Sequence, residues 1–218
     1  FDLRNGEFIG RFEDNLAENN GGDGFEIDLS NGFFSDAFFL DGQANGQITG
    51  GFRRNTAIGN GANGFVLKFI DLDSIIEDNV AISNRLSGFV VLIRNDFEFT
   101  AAFRNNRSEK NGLHGFFIQA HDDVEGPITG NIARGNRGIG LFVKASDDMQ
   151  GPAASVSNNL ADGNGGDGIL VSIGEDLEAG AQISDNRAFG NGGNGIFIQV
   201  AEETDAAFTG PPPFLPVL

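Results

Sequence analysis

The residues most capable of chemistry in this chain are carboxylates that recur at fixed places. Counting from Gly24, Gly64, Gly88, Gly115, Gly140, Gly168 and Gly195, acids fill the eighth and tenth following positions at Asp96 and Glu98, Asp123 and Glu125, Asp176 and Glu178, and Glu203 and Asp205, with Asp148 and Gln150 completing the set. The seventh position adds Asp71, Asp122, Asp147, Glu175 and Glu202. Stacked carboxylates and loop carbonyls are hard oxygen ligands, so these rows could hold divalent cations, Ca2+ being the best match. The plainer reading is a solvated acidic edge that limits aggregation. Neither an EF-hand loop nor a G-G-x-G-x-D nonapeptide accompanies them. Nucleophile and phosphate motifs (G-x-S-x-G, Walker A, the zinc-binding helix) are missing, and cysteine is absent, which removes disulfides, thiolate catalysis and sulfur-ligated zinc. The two histidines are His114, before a repeat glycine, and His121, before Asp122-Asp123.

The elements that must position these groups are set by a frame that recurs along the chain. It reads Asn, four residues, Asn, three residues, Gly, then alternating apolar residues, and begins at Asn15, Asn55, Asn79, Asn106, Asn131, Asn159 and Asn186. After a first interval of 40 residues the starts lie 24, 27, 25, 28 and 27 apart, the length of one solenoid turn and too short for an independent domain. Period-two apolar residues after each glycine (Phe65, Leu67, Phe69; Ile169, Val171, Ile173) specify a strand. An apolar residue three positions before each frame, such as Phe52 or Ile128, marks a second, shorter strand ahead of the asparagine corner. No segment carries a helical period. Repeats this short bury their apolar rows only by stacking, each strand pairing in register with its equivalent in the next turn. The expected fold is therefore all-β, a single-domain parallel β-helix of about seven to eight turns over residues 1–205, with a long insertion at about 30–47 and a Pro-rich apolar tail at 206–218.

The frame N-x-A-x-x-N-G-x-x-G-Φ-x-Φ, legible in NTAIGNGANGFVL and NLADGNGGDGILV, resembles the right-handed parallel β-helix repeat of the pectate-lyase-like superfamily over residues 12–200. The resemblance implies right-handedness but leaves activity open, since that superfamily spans lyases, hydrolases, epimerases, adhesins and tailspikes. Its hydrolase and epimerase signatures do not occur: Asp122-Asp123 stands alone, with His114-Gly115 on the wrong side of it. A lyase arrangement needs Ca2+-binding aspartates beside an outward Arg or Lys, and Lys144 near Asp147 and Asp148 comes nearest. No catalytic residue is assigned. The asparagines read as structural, Asn tolerating a left-handed corner and its amide extending a ladder; glycine supplies positive φ or close approach at the other corner. The sequon Asn106-Arg107-Ser108 falls on a ladder position, which argues against a glycan there.

Net charge is −17, from 31 acidic against 14 basic residues, which argues against nucleic acid as a partner. No apolar run is long enough to span a membrane as a helix. All 22 aromatic residues are Phe, with no Tyr or Trp. Rings without a polar handle suit core filling and dry protein contacts better than sugar stacking. Two residues past each glycine, an outward strand position, stand Glu26, Val66, Val90, Phe117, Phe142, Leu170 and Phe197, flanked by Lys68, Gln119, Lys144 and Gln199. A stacked apolar strip of this kind marks a contact surface. Its cover could be the insertion with Phe33-Phe34 and Phe38-Phe39-Leu40, the tail with Phe214 and Leu215, or another copy of the chain. No capping helix is visible, as in a piece of a longer solenoid or in a chain whose ends stack on other subunits. These features point to an extracellular or surface-associated, non-enzymatic solenoid that self-assembles as filament, surface layer or adhesin, needing no cofactor unless the acidic rows take Ca2+. The alternative is a Ca2+-dependent polysaccharide lyase or another carbohydrate-active β-helix.

Overall fold

A computed structural model describes residues 2–4, 11–28, 51–69, 75–93 and 102–202. The 30–47 insertion, Asp71, Asp96, Glu98, Glu203, Asp205 and the 206–218 tail with Phe214 and Leu215 lie outside the described residues.

Among the described residues the strands form three sheets of eight, seven and seven members, every pairing parallel, and each strand bonds to its equivalent in the neighbouring repeats. The repeat around Gly140 shows the unit. A first strand, Pro127–Thr129, is followed by a second, Ile132–Arg134, and then by the long strand Leu141–Ala145. Register is strict across the long-strand sheet, where Phe116, Leu141, Ile169 and Ile196 are successive partners. Sequence pattern anticipates two strands per repeat, whereas three form. The extra one is the segment between the two asparagines, whose central Ala133 points inward.

Two left-handed residues bracket that short strand, and they are not the ladder asparagines. The residue before each asparagine takes φ between 53° and 68°: Asp14, Arg54, Asp78, Asn105, Gly130, Asn158 and Asp185 before the first, and Asn19, Gly59, Ser83, Lys110, Gly135, Gly163 and Gly190 before the second. Each asparagine is then free to aim its amide along the solenoid axis. Asn131 shows the pattern. Its Oδ1 accepts from the backbone N–H and Nδ2 of Asn106 at 3.0 and 3.1 Å, and its own Nδ2 donates to Phe103 O and Asn159 Oδ1, both at 3.0 Å. Asn106 is fully buried in the same ladder, so its sequon cannot present the amide to solvent.

The frame glycines serve close approach and have no positive φ. A Cβ on Gly115 would lie 2.4 Å from Gly140 O and 3.1 Å from Ala133 Cβ, so Gly in the long-strand corner and Ala in the second strand are mutually required. Ser108 replaces that alanine in one repeat and remains satisfied, donating to Gly115 O at 2.8 Å and accepting from Asn111 Nδ2 at 2.9 Å. The core is a set of vertical rows. Phe25, Phe65, Phe89 and Phe116 stack at 4.6–5.1 Å between centroids, and Phe52 and Phe103 meet them edge-on at 5.5–6.3 Å. Such packing leaves no room for a hydroxyl or indole N–H needing a partner, which accounts for phenylalanine at these core positions. Val124, Met149 and Leu177, buried and bridged to one another, carry the core to the edge where the acidic residues begin.

Replacing Asn131 by Ala orphans buried donors and acceptors on both neighbouring rungs, and each should cost about 1–3 kcal/mol. Asn15→Ala, on an exposed rung, should cost much less, a contrast that urea denaturation of the two variants measures.

Candidate functional site

The acidic edge is built by the turn that leaves each long strand. Backbone bonds stack its seventh-position residues, Glu175 N–H donating to Asp147 O at 3.0 Å and Glu202 N–H to Glu175 O at 3.1 Å. The eighth-position aspartates turn their side chains to the same task. Asp123 Oδ1 accepts from the Asp148 N–H at 2.9 Å, and Asp148 Oδ1 accepts from the Asp176 N–H at 2.8 Å. The second oxygen of Asp123 takes the Gln150 amide. Part of this row is therefore structural, closing a turn as the asparagines do.

Asp122, Asp123 and Asp147 nevertheless bring carboxylate oxygens within 4.8 Å of one another, half-buried. Among the described residues, these three are the group that could hold a divalent cation. Burial pushes the Asp123 carboxyl up, against the pull of its hydrogen bonds, and the charge of Asp147 raises Glu175. Of the remaining candidates, Glu125 is half-buried, Glu178 is exposed, and Asp176 sits half-buried on Asp148.

On the opposite margin of the long-strand sheet, the residue before the frame glycine forms another side-chain ladder. Asp23 accepts from the Asn63 N–H at 2.6 Å, Asn63 from the Ser87 N–H at 3.0 Å, His114 Nδ1 from the Ile139 N–H at 3.1 Å, and Asp167 from the Asn194 N–H at 2.5 Å. His114 thus occupies an Asx position. Its half-buried ring lies 6.3 Å from both Phe117 and Phe142, and burial lowers its pKa, favouring the neutral form that can accept. Sequence alone missed this role because the row mixes Asp, Asn and His.

Between the two margins runs the apolar row. Val66, Val90, Phe117, Phe142, Leu170 and Phe197 are successive register partners. Phe117 and Phe142 meet at 5.2 Å, and Phe197 is 42% exposed. Val66 is buried, at 6% exposure: Lys68 on its strand reaches diagonally to Glu26, Val66's register partner, at 3.1 Å, so the presented part of the row starts at Val90. Leu86 and Leu113, exposed at 42% and 43%, widen the patch on the His114 side.

Residues 102–203 match the family described as a right handed beta helix region. The chain is a right-handed parallel β-helix. No curated protein and no solved structure matches it, so the likeness to pectate-lyase-like proteins is one of fold. A further feature of this β-helix escaped sequence reading: a groove of about 650 Å3 where first and second strands meet, lined by Gly130, Ile132, Leu160, Asp185, Arg187 and Phe189. Its signal in the sequence is only the outward positions of strands too short to show a period.

The titrating groups predict opposite pH effects that variants can separate. Asp123 and Glu175, raised in the folded state, bind protons more readily folded than unfolded, so their contribution to stability falls as pH rises past the ordinary carboxylate range, about 4. His114, lowered, contributes stability above its ordinary value of 6.5 that is lost as pH falls through the window beneath it. His114→Asn keeps the acceptor used by Asn63 and should melt with less loss than the parent between pH 7 and 5. Asp147→Asn should raise the melting temperature at neutral pH in chelator. It should also abolish any rise that Ca2+ gives the parent, whereas melting curves of the parent that coincide in Ca2+ and in chelator would leave the acidic edge as a solvated surface.

Proposed function

We propose that this β-helix is a non-enzymatic, self-assembling structural protein of the extracellular space or cell surface, in the manner of a filament, surface layer or adhesin. The observation that carries this reading is the apolar row from Val90 to Phe197, which runs in unbroken register over the outer face of the long-strand sheet. Outward positions of a solvated sheet are ordinarily polar, and a contiguous apolar patch is a contact surface. The described ionisable groups fit the same reading. Several basic side chains form vertical ion pairs that tie repeats together, Arg54 to Asp14 and Lys68 to Asp28 among them. His114 is held as a backbone acceptor.

A second reading, a Ca2+-dependent polysaccharide lyase, is favoured by one arrangement: Lys144, outward on the long strand, lies three residues before Asp147 of the carboxylate cluster. Release of unsaturated uronates from acidic polysaccharide in the presence of Ca2+, followed by ultraviolet absorption, would establish that chemistry. For the preferred reading, light scattering across a wide concentration range, with electron microscopy of the largest species, should show assemblies that grow with concentration. A monodisperse monomer throughout would defeat it.

A further inference from the structure

We propose that the outer face of the long-strand sheet binds a second copy of this chain side by side and in parallel, about a two-fold axis running along the solenoid. The proposal rests on the self-assembling reading above and assigns it a face and a direction.

The size of the face suits a stable pair. Five rungs from Val90 to Phe197, at about 4.8 Å each, give about 24 Å along the axis. The ten residues from the position of Arg137 to that of Asp147 span at most about 33 Å across it. The product, at most about 800 Å2 a side, reaches the size of a standard protein interface when both charged margins are included.

Charge selects the direction. Arg85 and Arg137 stand three residues before their frame glycines, exposed, and the ion pairs of Arg53, Arg54, Arg104, Arg107 and Arg134 leave these two out among the described residues. Asp147 and Glu175 stand seven residues after theirs. The apolar row is two residues after, so Arg85 and Arg137, on the margin that also carries the Asp167 acceptor, and the acidic residues on the other margin flank it at five residues each. A two-fold axis along the row exchanges the margins and keeps height, which sets Arg137 against the partner's Asp147. The antiparallel alternative, a two-fold axis along the strands, sets acid on acid along the whole edge. Like charges facing across an interface are strongly disfavoured.

Because the chain has no cysteine, single cysteines report the geometry directly, with chelator present so that cations bridge nothing. In the parallel pair Phe197→Cys meets its own copy, and so does Val90→Cys; each variant alone should give a disulfide-linked dimer on oxidation. Arg137→Glu and Asp147→Arg should each weaken association on the order of tenfold, measured by sedimentation equilibrium, and the double variant should restore it. Phe142→Asp should abolish the dimer while melting as a folded protein. Linkage that forms only between Val90→Cys and Phe197→Cys in a mixture would overturn the parallel arrangement. So would assemblies that persist unchanged in Phe142→Asp and Arg137→Glu, an outcome that leaves self-assembly standing through some other surface. A parent protein that stays monomeric overturns both.

Discussion

A solenoid must turn its backbone through several corners per repeat, and at every corner there is an N–H that no sheet can pair. Burying such a donor without a partner costs as much as a repeat of this length can gain from one or two apolar contacts. The chain meets the constraint by placing a side-chain acceptor at each corner in line with its neighbours above and below. Two asparagine ladders serve the ends of the second strand, with Asn79 N–H on Asn106 Oδ1 at 3.0 Å and Asn84 N–H on Asn111 Oδ1 at 2.9 Å. The Asp, Asn and His row serves the start of the long strand, and Asp123 and Asp148 serve its exit. Asparagine dominates where the site is fully buried because it donates as well as accepts, so each rung satisfies the next without carrying charge. Aspartate and histidine appear where water reaches the turn.

Corner acceptors also fix the spacing at which everything else must pack. With the rungs tied at the corners, the long-strand glycine meets the carbonyl of the next frame glycine, leaving no space for a Cβ. The central, inward position of the second strand can then carry only alanine, or a serine such as Ser108 whose hydroxyl joins the corner network. Large side chains are admitted only where two sheets face each other across the interior. There the same spacing turns phenylalanine into continuous stacks, Phe65 on Phe89 at 4.6 Å and Phe89 on Phe116 at 5.0 Å. Core composition and corner composition are therefore consequences of one repeat distance.

This coupling explains what could be read from the sequence. The long strands, the stacking and the inward rows were legible because burial alternates with the same period as the residues, as in Phe116, Ile118 and Ala120. The second strand was not, since three residues with one inward alanine show no period. The left-handed corners were hidden too: Arg54, Lys110 and Ser83 take φ near 55°, a conformation their types do not announce and which the following asparagine imposes through its ladder bonds. Of the candidate sites, the apolar row could be placed by counting from glycine, but only register reveals the diagonal ion pair between Lys68 and Glu26 that stands beside the buried Val66. The acidic row likewise looked uniform. Its eighth position proved to be partly a backbone acceptor, while its seventh, stacked by main-chain bonds, passes from the half-buried Asp122 and Asp147 to the exposed Glu175 and Glu202.

Structure thus divides the chain's polar groups into those the fold consumes and those it leaves available. Nearly every buried amide, the turn aspartates and His114 are consumed, because removing any of them strands a backbone donor. Outward positions are under no such demand: Glu26, Val66, Phe117 and Phe197 share one row, and any of these side chains is compatible with the strand beneath it. The fold therefore does not require Phe117, Phe142, Leu170 and Phe197 to stand in a line, nor does it require arginine on one margin of that line and carboxylates on the other. Apolar exposure that the solenoid does not impose is what a contact surface leaves on an isolated chain, and it is the basis of the pairing proposed above. The acidic frame residues that first suggest chemistry border the same apolar row, and in the proposed pair they are the charged margin of a contact face whose centre is hydrocarbon.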